Sequence, residues 1–199
     1  MNRFSALLLL ALLALTGTTQ AQDAVRLRGT ITAFDGNKLA VHTREGADVS
    51  IELAATATVA YMKALKLEDV KPGTALGTSA VMGRDGKLIA RELHFFNADR
   101  GIPNEGHRPW DLEPGSSMTN ATVSAVAQAS GGREITLTYK GGAQQVIVPE
   151  GIPVVTAVEG DRSLLKPGEY VVVAATRGAD GRIVASRIQV SKDGVRPPQ

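Results

Sequence analysis

Cysteine is absent from this sequence, so no disulfide can staple the fold, and a thiolate-based metal or redox site is excluded. Aromatic residues are scarce, at 4% with a single tryptophan. They are scattered, which leaves no stacking platform for single-stranded nucleic acid. Neither sign of charge dominates: 22 Lys and Arg stand against 20 Asp and Glu, a formal net charge of +2. A surface that tracks phosphate backbones carries a clustered basic excess, so nucleic acid is not an expected partner. The motifs H-E-x-x-H and G-x-S-x-G and a phosphate-cradling glycine loop are also missing, and each is the local signature of a chemistry. No enzyme and no cofactor are expected. The alternative, a hydrolase, rests only on Ser116-Ser117 following His107, and two serines in a Pro-Gly loop are commonplace.

Long apolar runs are missing after the first fifteen residues. Before that, Asn2-Arg3 precedes an unbroken run from Leu7 to Leu15, and Thr19-Gln20-Ala21 ends in small-residue spacing. Charge, apolar stretch and cleavage site in that order read as a secretory signal peptide over residues 1–21. The run is about half the ~20 residues that a spanning helix needs. The expected address is therefore the periplasm or the exterior, with no transmembrane segment after cleavage. An uncleaved anchor is the alternative. Loss of Arg3 lowers the net charge to +1.

What is present is repetition. Lys71-Pro72-Gly73 precedes Asp85-Gly86-Lys87-Leu88-Ile89-Ala90, and Lys166-Pro167-Gly168 precedes Asp180-Gly181-Arg182-Ile183-Val184-Ala185 at the same interval, both sets displaced by 95 residues. A fixed-period match of turn and strand residues together signals a duplicated unit. In the first unit, Val25–Phe34 alternates apolar with polar and stops at Asp35-Gly36-Asn37; Leu39–Thr43 and Val49–Leu53 follow, with a short continuation at Thr58–Tyr61. Such alternation between turn residues predicts half-buried strands and hairpins. Leu65, Leu67 and Val70 then suggest one helical turn closed by Pro72-Gly73, before strands over Thr74–Met82 and Lys87–Phe96.

The second unit repeats the order: Ala121–Ala127, Glu134–Tyr139, Gln145–Val148, an irregular stretch through Arg162–Leu165, Glu169–Thr176 and Arg182–Val190. Five strands with a helical insert between the third and fourth match a small Greek-key barrel of the OB kind. The expectation is an all-β fold of two tandem five-stranded OB-like barrels, with a plain meander sandwich as the alternative. Its divisions are a signal peptide at 1–21, barrels over 22–96 and 119–193, an ordered segment over 97–118, and a tail from 194 to 199.

The stretch Gly29–Leu39, the step Leu67-Glu68-Asp69-Val70-Lys71-Pro72-Gly73, and Asp85–Leu93 resemble the exported bacterial domains of the DUF5666 family. The likeness covers each unit separately and is stronger in the first, because the second lacks the Asp-Gly after its first strand. The layout around Gly106–Asp111 and Ser117–Val123 is also similar to a set of proteobacterial periplasmic proteins, some labelled metal ABC transporter permeases. A permease needs several spanning helices, and this chain has none to offer. The resemblance implies a fold and a compartment, and it carries no catalytic residues.

Residues 97–118 hold the only tryptophan, a histidine, two arginines and several acids, far more than the bland ~4–6 residue connection typical of compact domains. Glu105, His107, Arg108, Trp110 and Asp111 are the candidate ligand-binding residues. Arg108 offers a planar fork for a carboxylate or phosphate, Trp110 a stacking face, and Asp111 an acceptor that could fix the tautomer of His107. The structural alternative has Trp110 filling the seam between the barrels, with Arg108 and Asp111 paired locally. For metal, His94, His107 and Met118 form one conceivable site. Neither these nor His42, Met62 and Met82 show the tight spacing that zinc or copper ligands usually have. The sequence thus predicts an exported, non-enzymatic binding or assembly module of a bacterial envelope, its partner an envelope protein or small molecule. A copper- or zinc-binding protein is the alternative.

Overall fold

The computed structural model describes residues 23–198; the expected signal peptide lies outside them. The fold is all-β, with twelve strands in one mixed sheet: β1 Asp23–Phe34, β2 Lys38–Thr43, β3 Asp48–Ala64, β4 Ala75–Met82, β5 Leu88–Phe95, β6 Gly106–Pro109, β7 Ser116–Ala129, β8 Gly132–Tyr139, β9 Gly142–Pro149, β10 Val154–Gly160, β11 Tyr170–Arg177 and β12 Ile183–Val190. Among the described residues, helix is confined to one-turn 3₁₀ segments such as Leu67–Asp69 and Arg162–Leu164. None is long and apolar enough to cross a membrane.

The turns are built as their residues require. Asp35 Oδ1 accepts the backbone N–H of Asn37 and of Lys38, at 3.0 and 2.7 Å, and Asp85 and Asp180 accept from Lys87 and Arg182 in the same way. Each aspartate thus holds its turn through its own side chain, while Gly36, Gly86 and Gly181 take the positive φ that follows.

The pairing overturns the expectation of one barrel per repeat. Strands β1, β2 and β3 are closed into a ring by β11 and β12: β11 lies antiparallel to β1, and β12 parallel to β3. Strands β7, β8 and β9 are closed by β4 and β5, with β4 antiparallel to β7 and β5 parallel to β9. Each half of the chain therefore gives three strands to one ring and two to the other. The exchange is reciprocal in register. Ile188 faces Val59 in the first ring, and Leu93 faces Val154 across β5 and β10, each residue displaced by 95 positions from its counterpart.

The physical cause is β3. Its central Ala54-Ala55-Thr56-Ala57-Thr58 contains no glycine or proline, so the strand runs unbroken for 17 residues. Beyond its pairing with β2 it stays against β12 as far as Tyr61 and takes β10 on its other side (Val59–Ala64 against Val155–Gly160). A chain carried that far delivers β4 and β5 to the other ring. Even the two Lys-Pro-Gly turns dock across: Gly73 donates its N–H to Val123, and Gly168 to Ile31.

Two cores result, each mixed in origin. One gathers Ile31, Leu39 and Ile51 with Val171, Val173 and Ile188; the other gathers Leu76, Leu88 and Leu93 with Val123, Ile135 and Val146. Apolar burial stabilises by roughly 25 cal/mol per Å², and neither core can form from one half alone. Two strands lie where none was expected. β6 falls inside the 97–118 segment and pairs with β7; β10 replaces the irregular stretch before Arg162.

Candidate functional site

Residues directly opposite one another on paired strands project from the same face. On the outside of the first ring, Arg26 of β1, Ala174 of β11 and Arg187 of β12 form one row. On the outside of the second, His94 of β5, Gly77 of β4, Asn120 of β7 and Gly106 of β6 form another. Arg26, Ala174 and Arg187 of the first row and His94 and Asn120 of the second line the same pocket of about 170 Å³, together with Arg108, Trp110 and Met118. Its mouth is cationic, and none of its described lining residues is an acid. The Arg187 side chain makes no hydrogen bond or ion pair among the described residues, its backbone being paired with β11 and β3. Arg108 donates to the Asn104 carbonyl at 2.9 Å. Arg26 lies 4.3 Å from the centre of the Trp110 ring and Arg108 5.3 Å, both within cation–π range.

Burial, followed by the neighbouring Arg28 charge, lowers the Arg26 pKa from its ordinary value; burial alone lowers that of Arg108. Both remain guanidinium ions at any physiological pH. The acid that acts most on Arg26 is Asp111, whose two carboxylate oxygens are already engaged by Arg28, at 2.8 and 2.9 Å.

The floor is polar and unpaired. Asn120 is 5% exposed. Its Nδ2 donates to the Pro103 carbonyl at 2.7 Å, which sets the amide's orientation, and its Oδ1 is buried with no partner. His94 keeps some exposed surface, yet its Nδ1 is sealed and equally unpartnered. Its ring stacks edge-on to Phe96, centroids 4.9 Å apart. Burial first, then the charges of Arg108 and Arg26, push the His94 pKa down to about 4, so the imidazole is neutral at pH 7. Gly77 makes the floor possible: a Cβ there would meet His94 Nε2 at 2.3 Å and Asn120 Oδ1 at 2.6 Å.

Of the residues singled out from sequence, Arg108, Trp110, His94 and Met118 meet in this pocket. The other three do not. Glu105 accepts the Lys140 N–H at the surface, and Asp111 is bound to Arg28 rather than to His107. His107 lies in the next row, opposite Thr119. Alternation sends that row to the other face of the sheet, and His107 Nδ1 bonds Thr119 Oγ1 at 2.8 Å. The structure therefore does not unite His94, His107 and Met118, and no group of three or more His, Asp or Glu suited to a metal occurs among the described residues. Ser116 Oγ donates to the Trp110 carbonyl and Ser117 Oγ to that of Ala80; neither serine is bonded to a histidine.

Arg26, Arg187 and Asn120 escaped the sequence reading. The arginines look like ordinary outward residues of alternating strands, and Asn120 stands at the edge of a predicted strand with no ligand-binding motif around it to mark it. The one available signal was Gly77, since a glycine inside a strand often marks the close approach of other groups.

Residues 141–189 match the family model described as "Domain of unknown function (DUF5666)", about a quarter of the chain. The match runs from β9 to β12 and so spans both rings. It falls on the second unit, although the likeness read from sequence was stronger in the first. No curated protein and no solved structure matches the chain.

Proposed function

We propose that this protein is an exported, non-enzymatic binding module of a bacterial envelope, made of two OB-like rings whose duplicated units have traded their last two strands. Its binding site is the pocket in the seam, and its ligand is a small anion. One observation carries this reading: Arg26, Arg108 and Arg187, from distant parts of the sequence, converge on one pocket with no acidic residue among its described lining residues. Clustered guanidinium groups, the nearest acid already bound to Arg28, favour a carboxylate or phosphate, which their planar forks grip at two points. The same charges oppose a divalent cation beside His94 and Met118, so the copper or zinc alternative receives no support from this arrangement.

The test is a thermal-shift series on the purified protein with phosphate, sulfate, acetate and glycolate at fixed ionic strength. Binding to the folded state raises Tm by mass action. The rise should shrink in Arg187→Met, which removes no side-chain hydrogen bond or ion pair seen among the described residues. An unchanged Tm with all four anions refutes the reading.

A further inference from the structure

The arginines explain why an anion should enter the pocket but not why the floor beneath them is made of unpaired polar atoms. A buried acceptor with no donor forfeits its hydration and gains nothing in return. Asn120 Oδ1 is such an acceptor, and its orientation is set, because the amide's Nδ2 is held by Pro103. Position 77 is a glycine, where any larger residue would displace this oxygen and the His94 ring. His94 Nδ1 lies unpartnered on the same floor, and the neutral ring can accept a hydrogen bond in one tautomer.

We propose, building on the anion reading above, that the ligand is an oxyanion carrying its own hydroxyl donor, with its charge on the arginines and its O–H on Asn120 Oδ1. Hydrogen phosphate and a 2-hydroxycarboxylate both have this chemistry. Sulfate and a simple carboxylate, ionised at neutral pH, have the charge without the donor. The pocket, at about 170 Å³, suits ligands of this size. A site built to pair with a ligand hydroxyl rejects the analogue lacking it, because the buried partner is then left unpaired.

Isothermal titration of the full protein at pH 7.5 and constant ionic strength, with two matched pairs, tests the proposal: glycolate against acetate, and phosphate against sulfate. The donor-bearing member of at least one pair should bind about tenfold tighter or more, and the pair that discriminates identifies the ligand as a hydroxy acid or a phosphate. In Asn120→Ala the preference should collapse while Arg187-dependent binding persists. Should that variant fail to fold, the matched pairs on the unaltered protein still decide, since their members differ chiefly in the donor. Equal affinities within each pair, with binding still lost in Arg187→Met, overturn the donor and leave the anion site standing. No binding by any of the four overturns both.

Discussion

Arg28 and Asp111, 83 residues apart, meet in a two-point ion pair with N–O distances of 2.9 and 2.8 Å. Arg28 is 2% exposed and Asp111 59%, so the contact fastens the crossing segment onto the outer face of β1. Arg44 adds a hydrogen bond to the Asp111 carbonyl at 3.1 Å. The pocket depends on this fastening, because Arg108 and Trp110 ride on the same segment.

Asp111→Asn should leave the buried Arg28 charge unmatched. Breaking a fully buried pair costs about 3–5 kcal/mol; with one partner half in water, a loss of about 1–3 kcal/mol is expected, read from urea denaturation at pH 7. Hydrogen bonds from Arg28 hold the Asp111 carboxyl below the ordinary carboxylate range. The stabilisation is thus fully present above the unfolded aspartate value, about 3.9, and is lost as pH falls through the lower folded value. Asp111→Asn should flatten that acid limb.

His94 should govern a second, higher window. Its folded pKa of about 4 lies below the ordinary 6.5, so the unfolded chain binds the proton more readily. Stability is complete above pH 6.5 and declines towards pH 4, by up to about 3 kcal/mol. Subtracting the pH profile of His94→Gln from that of the unaltered protein should isolate this slope. An NMR titration placing His94 near 6.5 would contradict it.

Two glycines should respond differently to alanine. A Cβ on Gly29 would fall 2.2 Å from the His42 carbonyl oxygen, and one on Gly77 would fall against the ends of His94 and Asn120. Backbone cannot step aside as side chains can, so Gly29→Ala should be the more destabilising, by about 1–3 kcal/mol or more. Gly77→Ala should retain more stability yet abolish the anion-induced rise in Tm.

Much of the local structure was legible in the sequence, because turns and alternation are local. The Asp-Gly turns at residues 35, 85 and 180 and the inward residues of β1, β2 and β8 follow from it directly. Within residues 97–118, Arg108 and Trp110 line the pocket. Partnership between strands was not legible. A period of two tells which face a residue takes, not which strand lies beside it, and nothing within β1 distinguishes β4 from β11 as its neighbour. The composite of His94 with His107 failed for a related reason: the unforeseen β6 pairs with β7 in a register that sends the two histidines to opposite faces. Sequence offers Asp111 only its near neighbours His107 and Arg108, whereas the buried guanidinium it pairs with, Arg28, lies 83 residues away.

The exchange of strands between the two halves is the claim on which the pocket rests, and a disulfide trap measures it directly. The protein has no cysteine of its own, so an introduced pair reports a single distance. Thr58 and Arg187 are opposite in parallel register on β3 and β12, and both are exposed. A disulfide needs Cα atoms about 4.4–6.8 Å apart. Oxidation of Thr58→Cys/Arg187→Cys should therefore close one intramolecular bond in near-complete yield without loss of Tm. Failure of that pair, with ready closure of Pro153→Cys/Arg187→Cys instead, would place β12 in a ring made by the second half alone and contradict the account.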